Sequence, residues 1–516
     1  MPDLFVRFDS WSAGNAGRLD PGMAPQNAWY GRNVHMYNSG LIGPRWGLKS
    51  LAVTVSGGGG ITVPVANGPK GFATLGSNAL VTADRTYMIP LTGLEAGAGV
   101  ATPFAAYPVT PSKWVTYVAQ TDSLIFALVD NALYRHNTSG MTTTAVTTPS
   151  PFSFIRRWNL YCVGVDSVTP YRLWFSQITA GGFDFSVWPV GNYLDVGDSE
   201  PITAIVPVYN TLFVGKRSGW WAITGVIGTS SAIRQATSGD GPVDARGAGA
   251  TADNRIVYWP RSYNPALFNG SRSSLLLDHV VPAFNPLASQ AVMASPTGRT
   301  NIFGYDNGAT SSVIMFAESG GASYHDLGVS LAGYAPDVIE NGYGISTPGT
   351  ILAAKKSTTA GEALQLYAWN IDADRPPIAS DTLGSLGDGV DTPIDAYLQT
   401  RAWFDPQGRD VRVRSVQVRY RAWKIGSNAT EASKLMSGFG VSVETLSPYD
   451  DRSSTSPEQH ARVAWNEVST SGSDLIARFA IGDQGFGSGF RINVTDMRGV
   501  AIRDIVVGLD VRSQRT

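Results

Sequence analysis

The sequence predicts an all-β protein, and three observations support this. Of its 516 residues, 57 are Gly and 30 are Pro, which is typical of a chain with many turns. Val, Thr, Tyr, Trp and Phe, the residues that suit a pleated and half-buried strand, are abundant. No stretch of helical periodicity is longer than about two turns.

Strand–turn–strand units recur along the middle of the chain. The unit ITAIVPVYNTLFVGKRSGWWAITG, residues 202–225, has apolar strands on both sides of a Lys/Arg turn. With this unit included, seven such units begin at Gly71, Trp114, Phe154, Ile202, Arg246, Thr300 and Gly342. A period of roughly 40 to 55 residues is typical of propeller blades, and a closed ring of blades leaves little exposed sheet edge. We therefore predict a β-propeller of about seven blades.

Aromatic residues stand near the end of most units. We expect them to pack between blades rather than to stack on a ligand. These residues are Tyr134, Trp174, Trp221, Tyr258 and Tyr367.

The rest of the chain divides into three segments. Residues 1–60 are rich in Gly, Asn and Pro and end in SGGGG, which indicates an extended N-terminal arm with the first strands. The propeller is expected at 61–375 and a linker at 376–395. Short alternating strands predict a β-sandwich at 396–516. Within VRVRSVQVRYR the alternation shifts once near Ser415, which indicates a β-bulge.

Charge and the N-terminal sequence argue against several classes of protein. The 39 basic and 41 acidic residues nearly balance, so we expect no nucleic-acid specificity. No apolar run reaches the roughly 20 residues of a transmembrane helix. The start, MPDLFVRFDSW, lacks a secretion signal, so we expect synthesis in a cytoplasm without signal-directed export. The single cysteine, Cys162, is expected in a buried strand.

No motif of a catalytic, metal or cofactor site is evident, and we expect a protein that is not an enzyme and needs no cofactor. The five histidines share no short metal-ligand spacing; they are His35, His136, His279, His325 and His460. The segment NYLDVGDSEP holds Asp195, Asp198 and Glu200, which could serve a glycosidase or bind Ca²⁺. The simpler interpretation is a turn-forming loop between two blades.

Two groups of residues in the predicted sandwich are candidates for binding. Trp403 and Trp423 either stack on a glycan or belong to the core. A row of arginines either meets an acidic partner surface or forms a solvated strand face; it consists of Arg412, Arg414, Arg419 and Arg421.

The segment from Gly17 to Lys49 resembles the opening of tail-associated β-propeller proteins of double-stranded DNA bacteriophages. The resemblance lies in Arg18 to Pro21, Pro25 to Ala28, Asn33-Val34, Gly40 and Pro44 to Leu48. The blade at 202–225 and the end of the chain, GFGSGFRINVTDMRGVAIRDIVVGLDV, are also similar to that family.

This resemblance implies a virion component without enzymatic activity: a minor tail, tail-tip, hub or nozzle protein made in the host cytoplasm. It implies other tail proteins as partners, six or three copies around the tail axis, and a host-surface glycan as a further partner. We expect contacts between subunits from the arginine row and from the arm, at Arg32, Asn33, Arg45 and Trp46. The alternatives are a glycan-binding module or carbohydrate hydrolase on a propeller, and a cellular scaffold propeller.

Overall fold

A computed structural model describes most of the chain. The described residues are 4–9, 29–36, 40–44, 48–75, 77–95, 98–179, 182–227, 231–250, 254–260, 266–275, 292–294, 300–306, 311–317, 322–326, 331–335, 350–370, 396–423, 437–446, 454–463, 472–481 and 486–512. Within these ranges the regular structure is almost entirely β, as predicted. The predicted linker, 376–395, lies outside them.

Six strands precede the first blade of the propeller. They are β1 (Leu4–Phe8), β2 (Trp29–Arg32), β3 (Val34–Met36), β4 (Ile42–Pro44), β5 (Leu48–Val55) and β6 (Thr62–Val63). Between β5 and β6 the chain turns through SGGGG, where Gly57, Gly58 and Gly59 all have positive φ. This conformation is accessible to Gly at little cost.

The first three blades are antiparallel and have four strands each. Blade 1 consists of β7 (Gly71–Leu75), β8 (Asn78–Thr82), β9 (Thr86–Pro90) and β10 (Ala98–Pro103), with a short helix α1 (Leu91–Glu95) before β10. Blade 2 consists of β11 (Thr116–Thr121), β12 (Leu124–Val129), β13 (Ala132–Asn137) and β14 (Thr142–Ala145). Blade 3 consists of β15 (Phe152–Trp158), β16 (Tyr161–Asp166), β17 (Arg172–Phe175) and β20 (Tyr193–Asp195), with a hairpin β18 (Gln177–Thr179) and β19 (Gly182–Asp184) inserted before β20.

The next three blades repeat the same order. Blade 4 consists of β21 (Ile202–Val208), β22 (Thr211–Lys216), β23 (Gly219–Thr224) and β24 (Ala232–Ser238). A 3₁₀ turn, Ala245–Gly247, leads into blade 5, which consists of β25 (Ala248–Ala250), β26 (Ile256–Tyr258), β27 (Ala266–Phe268) and β28 (Ser273–Leu275). Blade 6 consists of β29 (Val292–Ala294), β30 (Thr300–Asp306), β31 (Ser311–Ala317) and β32 (Ala322–Asp326).

Blade 7 closes the ring with strands from distant parts of the chain. It contains β33 (Leu331–Ala335), β34 (Thr350–Lys355), β36 (Leu366–Asn370) and the early strand β5, while β35 (Glu362–Ala363) pairs with β6. Strand β5 pairs antiparallel with β36, Leu51 opposite Leu366, and parallel with β10 of blade 1. The β-propeller is thus confirmed, with seven blades among the described residues.

The sandwich follows the propeller and consists of two sheets. Its later strands are β37 (Tyr397–Thr400), β38 (Trp403–Phe404), β39 (Val411–Ala422), β40 (Ser437–Leu446), β41 (Ser454–Thr455), β42 (Gln459–Val463), β43 (Ser473–Ala480), β44 (Gly489–Arg498) and β45 (Val500–Val511). The inward residues of β39, among them Val411, Val413, Val416 and Val418, are buried. The register against β45 shifts between Val413 and Ser415, which confirms the predicted bulge.

The N-terminal strands complete this sandwich. Strand β1 pairs with β45 along its whole length, and the β3–β4 hairpin joins the same sheet. Strand β2 pairs with β37 in the other sheet. The described strands of the predicted N-terminal arm thus pair with other strands of this chain. The propeller is therefore inserted between two parts of the sandwich.

The aromatic residues near the ends of the repeats are largely removed from solvent. Tyr134, Trp174, Tyr258 and Tyr367 are buried, and Trp221 is half-buried. Across the contact between blades 4 and 5, Trp220 stacks on Phe268 with ring centroids 5.5 Å apart. Such contacts bury large apolar surfaces between consecutive blades.

Candidate functional site

The acidic segment after blade 3 is held by basic and hydroxyl groups of this chain. Asp195 forms a bidentate pair with Arg172, at 2.7 and 3.0 Å. The buried ammonium of Lys216 donates to Asp198 Oδ1 at 2.8 Å and to the Asp198 carbonyl at 2.7 Å. This interaction lowers the pKa of the Asp198 carboxyl below its usual value.

The third carboxylate of this segment, Glu200, accepts a hydrogen bond from Ser218. Asp198 and Glu200 therefore fasten the blade 3–blade 4 connection to blade 4, while the Asp195–Arg172 pair joins two neighbouring strands of blade 3. This geometry supports the interpretation as a loop between blades and gives no support to a pair of catalytic carboxylates.

Similar hydrogen bonds between a blade-to-blade connection and the next blade, which we call fastenings, recur on one face of the propeller. We call this face the connection face. Because blade strands are antiparallel, the connections between blades and the turns between second and third strands lie at the same end. Each fastening joins a connection to the turn between the second and third strands of the following blade. The two bonded residues are 16 to 18 positions apart in the sequence. The pairs are Ser112–Asp130, Ser150–Asp166, Asp198–Lys216 and Asp240–Tyr258.

The four arginines predicted as an interface lie together on the outer face of one sandwich sheet, which we call the arginine face. They are ion-paired with aspartates of the same sheet: Arg412 and Arg414 with Asp510, Arg419 with Asp504, and Arg421 with Asp474. The Arg421 hydrogen bonds lower the pKa of the Asp474 carboxyl. The face is thus an ordered array of charge pairs.

Two apolar side chains stand among these charges. Phe5 on β1 is 63% exposed and Ile476 on β43 is 55% exposed. Ile476 lies opposite Arg419 in the register, and Phe5 lies opposite Gly508 of β45. Exposed apolar residues surrounded by polar groups are a feature of surfaces that contact other proteins.

One carboxylate of this face is almost completely buried. The Asp504 side chain is 1% exposed and accepts from Arg7 Nη2 at 2.8 Å, while Arg419 Nε lies 3.4 Å from its other oxygen. Because Arg7 belongs to β1, this buried charge ties the N-terminal strand to β45 and β39. Sequence analysis missed Arg7 and Asp504, since no pattern relates residues so far apart in the chain.

The two tryptophans proposed for glycan stacking lie against the protein. Trp423 is 2% exposed, so its ring is not available to a sugar. Trp403 is half-buried and packs on Phe490, with ring centroids 5.4 Å apart. The interpretation as core residues is therefore correct for Trp423, and Trp403 lies at the margin of the sandwich core.

Two of the four candidate residues of the N-terminal arm, Arg32 and Asn33, lie among the described residues. Asn33 is 4% exposed and adopts φ +58°, a turn conformation between β2 and β3. The backbone of Arg32 pairs with Tyr397 inside the sandwich. Arg45 and Trp46 lie outside the described residues. The contact of these residues with another subunit stays a prediction, and the burial of Asn33 in this chain does not favour it.

Blades 1 and 2 enclose a polar chain that the sequence did not suggest. Tyr107 Oη lies 2.7 Å from His136 Nε2 and 2.5 Å from Thr86 Oγ1, which in turn contacts Thr82 at 2.8 Å. Thr82 contacts Tyr117. Burial lowers the pKa of His136 to about 4 and raises that of Tyr117 to about 12, so both are neutral at pH 7.

No group of three potential metal ligands comes together among the residues that the structure describes. Cys162 is buried in β16, as predicted. In the described part of the chain, no helix has the length and apolar character needed to cross a membrane.

The fold and its surfaces define a β-propeller protein with a β-sandwich. No protein-family model matches the chain, and no curated protein matches it. Among solved structures, it is similar to "Structure of U3-55K" at 10% identity and a TM-score of 0.40, covering 63% of this chain and 98% of that one.

Two further propeller structures are similar at the same level. "BBS1N in complex with ARL6DN" is 12% identical, with a TM-score of 0.39 and coverage of 64% and 99%. "YCF48 bound to D1 peptide" is 10% identical, with a TM-score of 0.37 and coverage of 63% and 98%. These likenesses concern the fold alone.

Proposed function

We propose that this protein is a structural, non-catalytic component of a bacteriophage tail, of the minor tail, tip, hub or nozzle type. The arginine face is its contact surface for other tail proteins or for further copies of the chain. The observation that supports this most directly is the array of Arg–Asp pairs around exposed Phe5 and Ile476, on a domain distinct from the propeller.

The state of the acidic segment also supports a non-catalytic role. A glycosidase needs two carboxyl groups facing its substrate. Asp195, Asp198 and Glu200 instead bind Arg172, Lys216 and Ser218. A hydrolase that used Asp198 and Glu200 would have to release the bonds that hold the blade 3–blade 4 connection to blade 4.

The resemblance of residues 17–49 to tail propellers gives the proposal its biological setting. A closed ring of identical copies around the tail axis is the arrangement expected of a symmetric particle. The prediction of six copies, or of three, belongs to this proposal.

The proposal is tested by mass spectrometry of purified particles, combined with a variant in which Phe5 and Ile476 are changed to Asp. We expect the wild-type protein in tails and the variant in the soluble fraction, folded but not incorporated. A matched control is Val168→Asp, because Val168 is 74% exposed on the propeller. Particles that lack the wild-type protein, or that incorporate the Phe5/Ile476 variant normally, would refute the proposal.

A further inference from the structure

Four basic residues from four blades converge on the connection face of the propeller. The first two, Lys356 and Lys70, lie on segments that two hydrogen bonds join, one in blade 7 and the other before blade 1. Ser357 N donates to the Gly68 carbonyl at 2.8 Å, and Gly68 N donates to Ser357 Oγ at 3.0 Å. This pairing brings Lys356, next to Ser357, close to Lys70.

A second set of contacts extends from Lys70 across the ring. The Lys70 carbonyl accepts from Val115 N at 2.5 Å, which places Trp114 beside it at the beginning of blade 2. The guanidinium carbon of Arg246 lies 3.7 Å from the centre of the Trp114 ring. Arg246 precedes blade 5, and blades 2 and 5 are not neighbours. This contact therefore crosses the central axis of the propeller.

The fourth basic residue comes from the inner strand of blade 3. Arg156 is 6% exposed and its Nη2 donates to the Ala245 carbonyl at 3.3 Å, next to Arg246. Lys356, Lys70, Arg246 and Arg156 thus form a connected series, which we call the axial basic cluster. Lys70 and Arg246 lie just before the inner strands of blades 1 and 5, Lys356 follows β34, and Arg156 lies in the second half of β15.

The charges in this cluster repel one another. Burial and the neighbouring Lys356 lower the pKa of Lys70, Asp130 opposes this shift, and Arg246 adds to it. The Asp130 carboxylate already accepts hydrogen bonds from the backbone of Ser112 and Lys113, at 2.8 to 3.1 Å. Several like charges held close together raise the local concentration of counter-ions.

We propose that the axial basic cluster binds a small multivalent oxyanion, with phosphate or carboxylate groups, at the mouth of the propeller axis. Lys70 and Lys356 act as point charges, while the planar guanidinium of Arg246, positioned on Trp114, suits a bidentate contact with an oxyanion. This ligand site is independent of the tail-assembly role proposed for the arginine face.

The test is isothermal titration calorimetry of the full chain with pyrophosphate and with citrate, at constant ionic strength. We expect saturable binding of at least one anion, and the tighter of the two identifies the phosphate or carboxylate source. Lys70→Met and Lys356→Met should each weaken binding by about tenfold, because each removes a charged hydrogen bond to the anion.

The control is Arg272→Gln, since Arg272 is exposed on the turn between β27 and β28, at the opposite face of the same propeller. It should leave the affinity unchanged. Thermal unfolding without added anion provides a second readout: Lys70→Met should melt no lower than wild type, because it relieves repulsion. Absence of binding by the wild type at about 10 mM anion, a concentration that would detect even millimolar affinity, or unchanged affinity in a folded Lys70→Met/Lys356→Met variant, would overturn the proposal.

Discussion

The propeller and the sandwich are built on opposite principles of chain connectivity. The propeller's blades join residues that are close in sequence, and the fastenings between them span 16 to 18 residues. The sandwich joins the two ends of the described chain, as in the ion pair of Arg7 with Asp504 across 497 residues. Local pairing can form early in folding, whereas closure of very long loops is slow. The sandwich and blade 7 should therefore depend on the N-terminal strands far more than blades 2 to 5 do.

The largest effect is expected from deleting residues 1–55, which removes β1 to β5. Both sandwich sheets lose strands, and blade 7 loses its pairing with blade 1. We expect an insoluble or partly unfolded product by circular dichroism. A matched deletion of residues 1–9 removes only β1 and should leave the propeller folded. A soluble, cooperatively folding product of the longer deletion would show that the N-terminal strands are dispensable.

Removal of the buried lysine between blades 3 and 4 should have the next largest effect. Lys216→Met leaves the carbonyls of Val196 and Asp198 without their donor, at a cost of about 3 kcal/mol in the free energy of unfolding. Urea unfolding of the variant and of the wild type measures this difference in the free energy of unfolding. Arg217→Met on the same turn is the control, because Arg217 is exposed and should change stability by less than about 0.5 kcal/mol. Equal effects of the two variants would contradict the role of Lys216.

Acidification should destabilise both domains, through buried His136 in the propeller and buried His35 in the sandwich. Burial lowers the pKa of His136 in the propeller to about 4 and that of His35 in the sandwich to about 3. Below pH 6.5 the unfolded state binds more protons, so stability falls with pH until the folded-state pKa is reached. At pH 5 each histidine should cost about 2 kcal/mol relative to pH 8.

This dependence is measured by urea unfolding at pH 8, 6 and 5. His136→Gln and His35→Gln should each reduce the loss of unfolding free energy between pH 8 and pH 5 by about 2 kcal/mol, the contribution of one histidine. This holds whatever the stability of the variant at pH 8. If either variant keeps the wild-type slope, that histidine does not titrate as described.

The smallest effect on stability is expected on the arginine face. Arg421→Gln removes an exposed ion pair with Asp474, and such pairs contribute less than about 1 kcal/mol. Its melting temperature should stay close to that of wild type. A large loss of stability would mean that this face is a structural core element and not a contact surface.

Much of the propeller could be predicted because its pattern is local. The starting points of the first five blades follow from apolar strands around polar turns, such as 211–224. The outer strand β14 gives little strand signal in the sequence, because Thr142–Ala145 is a Thr-rich, largely exposed segment that resembles a loop. The bulge at Ser415 could be predicted because, without a bulge, a single shift in alternation would move every later side chain to the other face of the sheet.

The partners of each candidate residue could not be predicted. The row of arginines was visible in β39, but the acids that neutralise it come from β43 and β45. The N-terminal strands are short and are separated by segments rich in Gly and Asn. Such a sequence indicates an arm whether the strands pair with this chain or with another. The regular spacing of the fastenings, from Ser112–Asp130 to Asp240–Tyr258, is a signal that sequence analysis could have used.

The central claim is that the N-terminal strand completes the sandwich of its own chain. Arg7 lies opposite Val506 in the antiparallel register of β1 and β45. Arg7→Cys and Val506→Cys should therefore form a disulfide within one chain, at monomer mass on non-reducing gels, whatever the protein concentration. A covalent dimer, or failure of the pair to oxidise in the folded protein, would contradict this.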